Sequence, residues 1–169
     1  DWDYAKARHL LCRAGFAGPP EEVERLRAMG IEQAVRHLVG YQELPDVAFS
    51  PPSAPPGPPR PAELARLDSE ARRQEIRQHR RSERAHLDAV RAWWVRRMVE
   101  SSRPLEEKMV LFWHGHFAAG ARTVRDSQLM FDENQLFRRH AVGNFGQLLH
   151  AVARDPAMLR FLDNNRNSR

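Results

Sequence analysis

Pro104-Leu105-Glu106-Glu107-Lys108-Met109-Val110-Leu111-Phe112-Trp113-His114-Gly115-His116-Phe117 is the stretch on which the fold turns. Proline suits the first turn of a helix, where its missing N–H costs nothing, and Glu106 and Glu107 follow where the positive end of the helix dipole favours carboxylates. At about 100° per residue, Leu105, Met109, Phe112, Trp113 and His116 fall within one arc, while Val110 and Leu111 lie on other sides. A helix apolar all round is expected to be buried, so the stretch reads as the centre of an all-α core.

Upstream of it, Ala62 to Ser102 contains no helix breaker and is rich in Ala, Leu, Arg, Glu and Gln, which predicts one long helix. Its first half is dominated by charge, with Arg73, Arg77, Arg80, Arg81 and Arg84 prominent. That half reads as a solvated, protruding arm able to bind a partner. Gripping a phosphate backbone is the less favoured alternative, because no aromatic residues interleave with the arginines to stack on bases. In the second half Leu87, Val90, Trp94 and Met98 recur at helical spacing, with Trp93 and Val95 widening the face, so this part turns into the core.

Before the long helix, Pro45, Pro51, Pro52, Pro55, Pro56, Pro58, Pro59 and Pro61 mark an extended linker, mobile or laid over a surface. It separates an N-terminal helical segment, residues 1–44, from residues 62–169, the linker itself being 45–61. The N-terminal segment reads as three short helices, Asp3 to Ala14, Glu21 to Met29 and Ile31 to Val39. They are closed by Gly15, expected in a left-handed cap, and by Gly30 and Gly40. Such a trio also fits a helix-turn-helix reader of DNA; a helical cap on a larger domain is preferred, because short helices with glycine stops occur throughout all-α folds.

Downstream, the run from Gly120 to Ser127 reads as a loop, followed by helices at Leu129 to Val142 and Gln147 to Ala153. A further helix is started by Asp155-Pro156, an N-cap followed by a first-turn proline. The expected fold is therefore an all-α, irregular multi-helix bundle with a long, partly solvent-exposed Arg-rich helix and a Pro-rich linker.

Composition narrows the function classes. No apolar run in the 169 residues approaches the roughly 20 needed to span a bilayer. The single Cys12 excludes an internal disulfide framework and a cysteine zinc cluster. The net charge of +5 is almost all arginine, only Lys6 and Lys108 being lysines, which together with abundant Ala and Pro points to coding bias in a GC-rich genome. That bias discounts the basic character as a sign of nucleic-acid binding. The chain opens at Asp1 rather than Met, so the lack of a secretory segment does not argue for the cytoplasm.

His114 and His116 are the candidate catalytic or metal-ligating residues. In a continuous helix, residues two apart point about 160° from each other. If the helix ends near Trp113, with Gly115 easing the break, the two imidazoles converge. A divalent transition metal such as zinc, copper or iron would then accept them with a carboxylate from Asp126, Asp132 or Glu133. If it continues, His116 is a core histidine and His114 faces elsewhere. Asp163, within Asp163-Asn164-Asn165-Arg166-Asn167-Ser168, is a further candidate ligand. This segment opens like a calcium loop but lacks the glycine and the closing glutamate, so a helix-exit turn is preferred.

Several motifs taken together resemble the bacterial domain-of-unknown-function 1800 family. They are His9-Leu10-Leu11-Cys12-Arg13-Ala14-Gly15-Phe16, Glu107-Lys108-Met109 with Phe112-Trp113-His114-Gly115-His116-Phe117, Gly143-Asn144-Phe145, and Ala151 through Leu159 with Leu162-Asp163-Asn164-Asn165. The resemblance runs nearly end to end. It implies a helical, exported protein with no established activity, with a sulfatase-like protein as a candidate partner. It also implies that the chain is the N-terminal part of a longer protein, so that the remainder beyond Arg169 would complete any site. The family's hydroxyl residues after the motif are replaced here by Ala118-Ala119-Gly120.

Overall fold

A computed structural model describes residues 1–46 and 49–164. Ten α-helices occur among them and no strand, so the all-α expectation holds. The helices are α1 Tyr4–Ala14, α2 Pro20–Met29, α3 Ile31–Val39, α4 Pro61–Arg66, α5 Ser69–Glu100, α6 Pro104–Phe117, α7 Ala121–Val124, α8 Ser127–Arg139, α9 Phe145–Val152 and α10 Pro156–Phe161. A 3-10 turn, Tyr41–Glu43, follows α3.

Two apolar centres are built on either side of α6. The first is formed by α1 to α3 through Ala7, Leu11, Val23, Leu26, Ala34 and Leu38. Gly15 does not adopt the left-handed cap expected of it, having φ −161°. Its lack of a side chain serves close approach instead, since a Cβ there would sit 2.9 Å from the Cβ of Pro104, the first residue of α6. Gly30 is the glycine in the left-handed region, with φ 77°. The second centre gathers Val110, Leu136, Phe137, Leu148, Val152 and Met158, drawn from α6, α8, α9 and α10.

The predicted single helix from Ala62 to Ser102 is two. Leu67 is extended, and the Asp68 carboxylate accepts hydrogen bonds from the N–H groups of Glu70 and Ala71, starting α5 afresh. An N-cap side chain competes with helix continuation, and here it wins over uniformly good helix propensity. Along α5 the buried face is His86, Val90, Trp93 and Arg97, while Val95, expected inward, is 58% exposed. Pro61 belongs to α4 rather than to the linker, at a position that tolerates it. The start of the Pro-rich segment is laid against the body: Trp93 donates to the Phe49 carbonyl, Arg103 to that of Leu44, and Ser102 to that of Pro45. The predicted loop after Gly120 contains α7, a single turn.

Helix α6 is only partly buried, against the expectation of burial all round. Its inward arc is Glu106, Glu107 and Val110, continued by the half-buried Trp113, His114 and Phe117; Leu111 and Phe112 face out, Phe112 at 54% exposure. The two glutamates do more than complement the dipole. Glu107 is fully buried, receiving hydrogen bonds from Arg97 at 2.7 Å and from Arg138 at 2.8 and 3.0 Å. Burial alone would raise its pKa, but these two guanidiniums outweigh it and hold the carboxyl below its ordinary value. Arg97 and Arg138 also pack on the Trp93 ring, at 5.5 and 5.0 Å from its centroid. This cluster ties α5, α6 and α8 into one arrangement.

Candidate functional site

Gly115 lies inside α6 and does not break it: the helix runs unbroken to Phe117, and Ala118, with φ 57°, is the left-handed cap. The two histidines therefore diverge, and a shared metal site on His114 and His116 is not formed. The reading of His116 as a core histidine is also reversed. His116 is exposed and stacks on the exposed Phe112, with ring centroids 6.1 Å apart at 15°, and meets Phe117 edge-on at 5.0 Å. Its neighbour Trp113 is a clamp, donating from Nε1 to the Ala141 carbonyl at 2.9 Å and stacking on Phe145.

His114 is the histidine that turns inward. Its ring stands edge-on to Trp94 at 5.3 Å and to Phe137 at 6.4 Å, and its Nδ1 is 3.7 Å from Oε2 of Glu133. That distance is longer than a hydrogen bond, and the contact is an ion pair only while the imidazole holds a second proton. Glu133 comes from α8, is fully buried, and neither carboxylate oxygen has a hydrogen-bond partner among the described residues. Burial pushes its pKa up; His114 pulls it down and Asp155 adds to the rise. Asp155 is itself buried, with one oxygen committed to the Met158 N–H at the start of α10.

Beside this pair lies a chamber of about 210 Å³, lined by His114, Trp94, Asn134, Val90, Met130 and Gly120 among others. Asn134 is 3% exposed, and its Oδ1 and Nδ2 are both without partners; so is Nε1 of Trp94. Leaving a buried amide or indole N–H unmatched costs about 1–3 kcal/mol for each group. All three atoms expose less than 1 Å², so they are unmatched within the packed wall and not on the face that it turns to the chamber. An imidazole on the chamber wall with a carboxylate behind it is the core of an acid–base site.

The other expected ligands lie elsewhere. Asp126 caps α8 by accepting from the Leu129 N–H and pairs with Arg160 at 3.0 Å, and Asp132 is exposed and accepts from Gln128. Glu133 is thus the only one of the three proposed carboxylates to meet His114. Asp163 sits just past α10 with φ 56°, as a helix-exit residue does, and does not line the chamber. The rest of the calcium-like segment, residues 165–168, lies outside the described residues. No group of three His, Cys, Asp or Glu side chains converges on a point that could hold a metal among the described residues.

Arg73, Arg77, Arg80, Arg81 and Arg84 are all exposed on α5. They divide into two sets. Arg80 and Arg84 line a groove of about 650 Å³ with Arg122, Arg125, Glu83 and Ser127; the other three do not line it. Glu133 and Asn134 form an inward polar pair on α8 that composition alone does not reveal. Their signal lies in their spacing, three and four residues after Met130 and four and three before Phe137, which sets both on an apolar stripe where polar residues need a reason.

A family model described as a protein of unknown function, DUF1800, matches residues 9–169. No curated protein and no solved structure matches the chain. None of the described helices is long and apolar enough to cross a membrane.

Proposed function

The chain belongs to the DUF1800 family of proteins of unknown function, and from that premise we propose that it is a hydrolase whose acid–base group is His114. The observation that carries this reading is the His114–Glu133 pair, a half-buried imidazole lining the chamber with a fully buried carboxylate 3.7 Å from its Nδ1. With Nδ1 turned to Glu133, Nε2 is the nitrogen left for a water molecule in the chamber. It takes a proton as the water oxygen attacks the electrophilic centre of an ester. The bond to the leaving oxygen then breaks, and the imidazolium returns its proton to that oxygen. Glu133, facing Nδ1, offsets the charge on the ring while it holds the extra proton.

Hydrolysis of a panel of p-nitrophenyl esters, acetate and phosphate, tests this reading. His114→Ala is expected to lower the rate by about 10²–10⁴-fold, and His116→Ala to leave it unchanged. Turnover of neither ester, or equal loss in both variants, overturns it.

A divalent metal held by His114 and Glu133 is the variant of this reading that the 3.7 Å imidazole–carboxylate separation supports, since two metal bonds of about 2.0–2.2 Å span such a gap. Metal content near zero in both wild type and His114→Ala removes it. A second reading makes the protein a scaffold that docks a partner, such as a sulfatase-like protein, through Arg73, Arg77, Arg80, Arg81 and Arg84. The exposure of these side chains favours it. Export from the cell is part of either reading, on the family resemblance.

A further inference from the structure

The groove and the chamber adjoin: Leu87 and Ala121 line both. The groove lies between α5 and the segment from α7 to the start of α8, and its charge is predominantly positive, four arginines against Glu83 and Asp126. Arg80 and Arg84 reach it from α5, Arg122 and Arg125 from the opposite side. None of these four guanidiniums is ion-paired among the described residues; Arg125 makes one long contact from Nε to the Arg122 carbonyl, 3.4 Å. The two lining carboxylates are both tied to the start of α8. Glu83 accepts the Ser127 N–H at 2.8 Å, and Asp126 is shared between the α8 cap and Arg160. His86, buried on α5, shares a 2.8 Å hydrogen bond with the Ser127 hydroxyl, so the two walls are held in register.

Four arginines lining one groove outnumber Glu83 and Asp126, the latter already paired with Arg160, and an excess of guanidiniums suits a dianion with several acceptor oxygens better than a single planar carboxylate. A volume of about 650 Å³ beside a chamber of about 210 Å³ suits a small molecule rather than a polymer. The geometry points to a phosphate-binding site in the groove, formed by Arg80, Arg84, Arg122 and Arg125, which holds the phosphate of a small phosphorylated substrate while its remaining part enters the chamber. The link to the chamber rests on the proposed hydrolytic reading; the anion site does not.

Binding of inorganic phosphate to the whole chain, followed by titration calorimetry at fixed ionic strength, tests it. Saturable binding is expected in the wild type. It should weaken at least tenfold in Arg80→Ala/Arg84→Ala and in Arg122→Ala/Arg125→Ala, and be unchanged in Arg73→Ala/Arg77→Ala, on the same helix but outside the groove. Sulfate should compete and acetate should not. His114→Ala should bind phosphate as the wild type does, so loss of ester hydrolysis with phosphate binding intact separates the two proposals. No saturable binding, or an equal loss in the Arg73→Ala/Arg77→Ala control, overturns the site. An oligonucleotide that binds at least tenfold tighter than phosphate and needs Arg73 and Arg77 also overturns it, in favour of a polyanion running along α5.

Discussion

Gly115 is where the residue scale decides the most. It is exposed, lies inside a continuous helix, and a Cβ built on it meets nothing within 4 Å. Gly115→Ala should therefore stabilise the protein by about 0.5–1 kcal/mol, measured by urea unfolding; a destabilisation would mean that the helix opens there. Glu107 is the opposite case, a buried carboxylate between two guanidiniums. Glu107→Ala leaves Arg97 and Arg138 without their shared partner and should cost about 3–5 kcal/mol, by the same measurement. Glu107 and Glu133 also set opposite pH windows. The Glu107 pKa is held below its ordinary value, so its stabilisation is present above that value and lost as pH falls through the depressed one. Glu133 is raised, so stability is full below its ordinary value and declines as pH rises through the raised one. Glu133→Gln should make that decline shallower while keeping the acid-side loss, the remainder coming from Glu106 and Asp155, which burial also raises, as thermal midpoints across pH would show. The first-turn position of Glu107 was legible in the sequence; its burial was not, because Arg97 and Arg138 come from other helices.

At the scale of elements, the all-α architecture was readable because caps and first-turn prolines are local signals. Asp155-Pro156 starts α10 and Pro104 starts α6 as their chemistry requires. The break between α4 and α5 was also written locally, in Asp68, but was masked by strong helix formers on both sides. Asp68→Ala should cost about 0.5–2 kcal/mol and leave helix content nearly unchanged by circular dichroism, since only the first turn of α5 depends on the cap. The orientation of α6 was harder to read. Its apolar residues surround it, so periodicity alone could not choose the buried arc; the choice is made by Glu107, Val110 and His114 meeting α8 and α5. For α8 the stripe was visible, but Glu133 and Asn134 read as ordinary polar residues until their spacing from Met130 and Phe137 is taken seriously.

Across the whole molecule, α6 stands between two apolar centres, with Gly15 pressed on its first residue and Phe117 stacked on Phe137 at its last turn. That position fixes the rotation of α6, and the rotation assigns opposite roles to two histidines only two residues apart. One sits over a buried carboxylate at a chamber with mainly apolar walls; the other rests on an exposed aromatic ring. The chamber and the arginine groove are then neighbours because α5, α7 and α8 wall both. Nuclear Overhauser contacts of the two imidazoles in the labelled protein test this arrangement most directly. His114 ring protons should show cross-peaks to Trp94 and Phe137, and His116 ring protons to Phe112, with none between the two imidazoles. A cross-peak joining His114 to His116, or His114 without contact to Trp94 and Phe137, would contradict the arrangement and the chamber built on it.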